Sequence, residues 1–163
     1  MNSRACAHYC TSTCGYPGLA PGVSHTLRVM PGHHAYQLYA HITFHTWNRV
    51  GCVDQPAARD IRSAVATACR ACGVRLLRGA VLSDHVHLCV SFRPDTRISD
   101  FVCQVKSVAA TRANRRIPGA VRWARGYFAA TWHRRDVPRV IGYVAQQFKR
   151  HPDLIPKPGV RGN

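Results

Sequence analysis

The chain has 163 residues, enough for one domain with a buried core, and no apolar run approaches the about 20 residues needed to span a bilayer. Lys and Arg total 23 against seven acidic residues, a formal net charge of +16, and nearly all the basic residues are Arg, which suits a polyanion such as nucleic acid. Every acid is Asp, so chemistry built on paired glutamates is excluded, and any metal site must draw on His, Asp, Gln or Cys.

Residues 1 to about 33 lack hydrophobic periodicity and carry Gly15, Pro17, Gly18, Pro21, Gly22, Pro31 and Gly32, so a flexible leader is expected there. It has no continuous apolar stretch of secretory type, and a cytoplasmic location is expected. Eight cysteines do not read as a disulfide framework. Cys52, Cys69, Cys72, Cys89 and Cys103 are scattered among apolar neighbours, as small core residues of a reduced protein are. Cys69 and Cys72 form a C-x-x-C without a second pair at zinc-finger spacing. Cys6, Cys10 and Cys14, around His8, have zinc-binding composition but are assigned to the leader.

Ala35 to Trp47, rich in β-branched and aromatic residues, predicts a first strand. Gln55 to Cys72 predicts a helix, with Ile61, Val65, Ala68 and Cys69 at helical spacing and Gly73 closing it. Val74 to Leu82 and His85 to Phe92 predict two antiparallel strands joined by the short Ser83-Asp84 link. Ile98 to about Arg116 predicts a second helix, Val121 to Trp132 a short hairpin or paired extended segment broken near Gly126, and Asp136 to about Arg150 a last helix that Asp136 can cap. Residues 152–163 predict a flexible tail. The order βαββα(ββ)α implies a split-βαβ, ferredoxin-like or RRM-like antiparallel sheet in an α+β domain over residues 34–151, with helices on one face and the other free for nucleic acid or a second protomer.

Ser83-Asp84-His85-Val86-His87-Leu88-Cys89-Val90 is the most informative segment. Alternation along a strand puts His85 and His87 on one face, and Val86, Leu88 and Val90 on the core face. Two imidazoles on one face suit one divalent ion and leave coordination positions open, as a catalytic metal requires. On the last helix, Val137, Ile141, Val144 and Phe148 form the apolar stripe, while Tyr143 and Gln147, four apart, share a neighbouring stripe. Should that stripe face the histidines, Gln147 offers a carbonyl oxygen as third ligand and Tyr143 a hydroxyl beside the ion. A nearby cation favours the phenolate and so activates an otherwise poor nucleophile.

Together these motifs resemble the HUH single-strand transposases of the IS200/IS605 type, and in particular the REP-associated tyrosine transposases. The resemblance runs from about Tyr39 to Gln147. It is carried by AHITFHTWNR, LSDHVHLCV, QVKSVAATRAN, RWARGYFAATW and YVAQQF, in that order. It implies an HUH nuclease fold with His85 and His87 as metal ligands, Gln147 as a further ligand and Tyr143 as nucleophile. It also implies Mg²⁺ or Mn²⁺ as cofactor and hairpin-bearing single-stranded DNA (REP-like or a transposon end) as substrate. Cleavage and rejoining would pass through a 5′-phosphotyrosine, in a monomer or homodimer. Trp132-His133-Arg134 departs from the small residues relatives often carry there.

Lys106, Arg112, Arg122 and Arg125 are candidate phosphate contacts, and Trp123, Tyr127 and Trp132 candidates for base stacking or for the core. Two rival readings fit the same residues. One is a non-cleaving, domesticated binder of hairpin DNA or RNA; the other is a small metallohydrolase that acts through water and forms no protein–DNA adduct.

Overall fold

The computed structural model of the protein describes residues 38–159. The leader expected over residues 1–33, with its three cysteines, lies outside them. The elements are β1 (Leu38–His45), α1 (Gln55–Ala71), β2 (Arg75–Val81), β3 (His85–Phe92), α2 (Ile98–Ala113), β4 (Phe128–Trp132), α3 (Val137–Ala145) and a short α4 (Gln147–Arg150). The strands form one antiparallel sheet in the order β2-β3-β1-β4, the split-βαβ arrangement that the element order implies.

Alternation sorts the two central strands. Ala40, Ile42 and Phe44 of β1 and Val86, Leu88 and Val90 of β3 point to one face, where they meet Ile61, Val65 and Ala68 of α1 and Phe101, Val102 and Val105 of α2. Asp54 caps α1 by accepting from the Ala57 N–H at 2.7 Å. Gly73 follows its end at φ +62°, a left-handed conformation that costs glycine little.

The helices do not all lie on one face. Val140 and Val144 of α3 pack on Ala80, Leu82 and Cys89, so the last helix covers part of the sheet face opposite α1 and α2. That face is left only partly open. Of the two readings of Val121 to Trp132, the paired extended segment forms and the hairpin does not. Trp123 makes one bridge to Thr46, and only Phe128–Trp132 forms a strand, paired with β1. Lys106 explains the difference: its ammonium donates to the carbonyls of Ala124 at 2.7 Å and Gly126 at 2.8 Å, fixing the chain where a hairpin would have to turn. The last helix is also shorter than its pattern suggests. Asp136 ends a 3-10 turn and makes no side-chain cap, and the helix breaks at Gln146. Residues read as a tail return to the domain, where Leu154 O accepts from Ser83 N–H (2.8 Å) and Lys157 O from Gln55 N–H (2.9 Å).

Phe44 is fully buried and meets the Trp123 ring edge-on at 5.0 Å, whereas Phe128 is 58% exposed. Phe44→Ala should therefore cost about 3–5 kcal/mol in urea denaturation, and Phe128→Ala no more than about 0.5 kcal/mol. Equal losses would contradict this packing.

Candidate active site

The site forms where β3 and β1 lie under α3. Antiparallel pairing sets Thr43 opposite His87, His45 opposite His85 and His41 opposite Cys89, so alternation puts His41, Thr43, His45, His85 and His87 on one face. His85 and His87 are both buried. Their Nε2 atoms stand 3.0 Å apart. That is roughly the separation of two nitrogen donors at right angles, each about 2.1 Å from a shared ion.

The other ring nitrogens set the tautomers. His85 Nδ1 faces the Asp84 carboxylate at 2.5 Å, so it carries the proton and leaves Nε2 with a lone pair. His87 Nδ1 lies 2.9 Å from His41 Nε2 and 3.1 Å from Thr43 Oγ1. Either can accept its proton when His87 Nε2 binds a cation. Burial, then the neighbouring His85, His41 and His151, push the His87 pKa down to about 3, and burial lowers that of His41. Both imidazoles are thus neutral at physiological pH, the state a ligand needs.

Tyr143 sits across this pair. Its ring centroid is 6.1 Å from that of His87 and 5.8 Å from that of His41, edge-on to both, and the ring is 39% exposed. The Arg150 guanidinium lies 5.1 Å from the Tyr143 ring, adding positive charge beside it. Gln147 lies between Tyr143, one turn before, and His151, one turn after, whose ring is 6.2 Å from that of His85. Gln147 is completely buried; its amide N–H donates to Tyr143 O at 3.1 Å, and among the described residues no donor reaches its Oε1. A buried carbonyl oxygen without a donor costs free energy unless a cation or other partner satisfies it. His85, His87 and Gln147 thus have donors suited to a divalent ion, although among the described residues no group of three or more His, Cys, Asp or Glu side chains converges as a metal site.

The expected phosphate contacts are dispersed. Lys106 braces the chain before β4, and Arg112 bonds to Ser63 Oγ (2.8 Å) and Thr67 Oγ1 (3.1 Å) on α1, on the sheet face away from the histidines. Arg125 is exposed, and Arg122 stacks on the Trp47 ring at 4.2 Å. Trp123 belongs to the core, donating its Nε1–H to Lys106 O at 3.0 Å; Trp132 packs beneath α3, and Tyr127 stays exposed. Sequence reasoning missed His41, Thr43, Arg150 and His151. The period-2 pattern of β1 carried the signal for the first two, once its pairing with β3 is known. His151 continues the Tyr143–Gln147 spacing by one more turn.

Among the solved structures that share this fold are two transposases. One is the crystal structure of a proposed transposase from Deinococcus radiodurans R1, 22% identical, covering 72% of this chain and 96% of that one with a TM-score of 0.57. The other is a REP-associated tyrosine transposase bound to a REP hairpin, 15% identical, covering 75% of this chain and 74% of that one with a TM-score of 0.60. No curated protein sequence matches the chain significantly. The fold shared with both is a four-stranded antiparallel sheet with helices. The family model described as "Transposase IS200 like" matches residues 34–147. The chain belongs to that family, and so to the DNA-binding proteins of transposition.

Two predictions follow from the buried donors. An unfolded histidine takes up a proton near pH 6.5, whereas folded His87 resists protonation to about 3. The unfolded state therefore binds more protons across that window, and the metal-free fold should lose stability steadily as pH falls below about 6.5. A urea midpoint that stays flat or rises from pH 7 to 5 would contradict this. Gln147→Met removes the orphaned oxygen and should stabilise the metal-free protein by about 1 kcal/mol while weakening Mn²⁺ binding about tenfold or more, read by calorimetry. Unchanged Mn²⁺ affinity would remove Gln147 from the site.

Proposed function

We propose that the protein is a metal-dependent DNA strand transferase that cleaves and rejoins hairpin-bearing single-stranded DNA through Tyr143. The observation that carries this reading is the approach of the Tyr143 ring to within 6.1 Å of the His87 ring, with the buried, unpartnered Gln147 oxygen one helical turn away. These residues belong to one chain, so a single protomer contains the whole candidate set.

His85, His87 and Gln147 would hold Mg²⁺ or Mn²⁺, consistent with the general metal dependence of this family. Such an ion, when bound, supplies positive charge to polarise the scissile phosphate and to favour the phenolate. Asp84, Thr43 and His41 hold the two ligand imidazoles in their tautomers and orientation. The Tyr143 hydroxyl loses its proton and its oxygen attacks phosphorus. A Tyr O–P bond forms, the P–O3′ bond breaks, and the departing 3′ oxygen takes up a proton. Transesterification conserves the number of phosphoester bonds, so no nucleotide cofactor is needed, and a 3′ hydroxyl from another end reverses the step and joins strands. The hairpin bound by the structurally similar REP-associated transposase supports a hairpin substrate, and the net charge of +16 supports a polyanionic one.

Labelled hairpin-bearing single-stranded DNA incubated with the protein and Mn²⁺ should yield a covalent adduct on a denaturing gel. Tyr143→Phe should keep binding and give none. His85→Ala should lower adduct formation by more than about 100-fold. Binding without any adduct would favour the non-cleaving binder, and cleavage without an adduct the water-dependent hydrolase.

A further inference from the structure

The turn after β1 is built unlike the other described residues. Asn48 and Arg49 are the only non-glycine residues with positive φ among the described residues, at 51° and 53°. Left-handed backbone is uncommon for a residue such as Arg, and it persists only where surrounding contacts impose it. Those contacts are present. Thr46 is buried, and its hydroxyl donates to Val50 O at 2.7 Å and lies 3.0 Å from Asp84 O, which also accepts the Thr46 N–H at 2.8 Å. Trp47 N–H donates to Arg122 O at 2.7 Å. The turn is thereby fastened to Asp84, the residue that holds His85.

What the turn presents is polar and aromatic. Trp47 keeps 40% of its surface exposed with the Arg122 guanidinium 4.2 Å from its ring. Arg49 is 64% exposed, and its guanidinium reaches only to 3.9 Å from Asp84 Oδ2, which leaves donors facing solvent. A partly exposed indole with one guanidinium on its ring, and a second exposed arginine two residues on in the same turn, has the chemistry of a single-strand subsite: a π-face for a base and planar forks for phosphate oxygens. Duplex DNA, whose bases are already stacked, cannot use the indole.

We infer that Trp47, Arg49 and Arg122 form a subsite for an unpaired nucleotide of the strand that leads to the histidine pair, with a base on Trp47 and the backbone phosphate on the arginines. The inference rests on the single-strand reading above. In it, Trp47 and Arg49 bind and position the strand; neither takes part in bond breaking.

The test uses the full chain carrying Tyr143→Phe, so that binding is read without cleavage, and two fluorescein-labelled DNA hairpins, one with a single-stranded extension and one blunt. By anisotropy, Trp47→Ala should weaken binding of the extended hairpin by about 5- to 150-fold, the range for losing one stacked base. Blunt-hairpin binding should change less than about twofold, and Trp47→Phe, which keeps an aromatic face, should retain most of the affinity. Arg49→Ala should lower the slope of log affinity against log salt by about one for the extended probe. Unfolding curves check that the variants fold, and Arg122→Gln removes the partner guanidinium with the indole intact should Trp47→Ala be unstable. Equal losses on both hairpins, or unchanged binding in Trp47→Ala and Arg122→Gln, would overturn the subsite. The wild-type adduct gel is independent: a missing adduct would overturn the transferase reading while leaving the binding result to stand.

Discussion

The site depends on two buried imidazole nitrogens facing each other across 3.0 Å. Two lone pairs at that distance repel unless a proton or a cation lies between them. Asp84 fixes the proton of His85 on the far ring nitrogen, and Thr43 and His41 offer the same to His87. In the proposed function the surroundings would thus prepare a cation position before any ion arrives. Burial holds His87 neutral, so little has to be displaced from it. The cost appears as the unpaired Gln147 oxygen, a local destabilisation of the kind concentrated at functional sites.

Strand alternation makes this possible in a small domain. One face of β1 and β3 packs against α1 and α2, so the polar face can be specialised without loss of the core. The α3 helix then packs on the specialised face through Val140 and Val144, shielding the histidines while keeping Tyr143 partly open. Gly142 extends the opening beside Tyr143: a Cβ there would meet nothing within 4 Å. The loop after β1, pinned through Thr46 to Asp84, brings Trp47 and Arg49 to the same end of the sheet.

Much of this was legible in residue patterns. The bounds of β3 and the sorting of His85 and His87 from Val86, Leu88 and Val90 follow from period-two alternation, and the extent of α1 from the spacing of Ile61, Val65, Ala68 and Cys69 and from Gly73 after its end. The apolar stripe of the last helix was only half readable: Val144 is buried with Ile141 packed beside it, but Val140 takes the place of Val137, and the break at Gln146 buries Gln147 and leaves Phe148 exposed. Nor does periodicity say which sheet face a stripe meets; that depends on Ala80, Leu82 and Cys89, distant in sequence. Before β4 the sequence left a hairpin and a paired extended segment both open; the second forms, and the contacts that fix Ala124 and Gly126 come from Lys106 on another element. Exposed arginines were the least readable. Arg112 and Arg122 look alike as letters, yet one braces α1 and the other stacks on Trp47. The role of His41 needed the β1–β3 register, which no local pattern reports.

The central claim is that His85, His87 and Gln147 hold one divalent ion beneath Tyr143. Crystals grown with Mn²⁺ and measured at the manganese absorption edge test it directly. The account predicts a single strong anomalous peak within about 2.0–2.4 Å of His85 Nε2, His87 Nε2 and Gln147 Oε1, on the side that Tyr143 faces. A peak bound elsewhere, or Gln147 turned away from an ion held by the histidines alone, would contradict it.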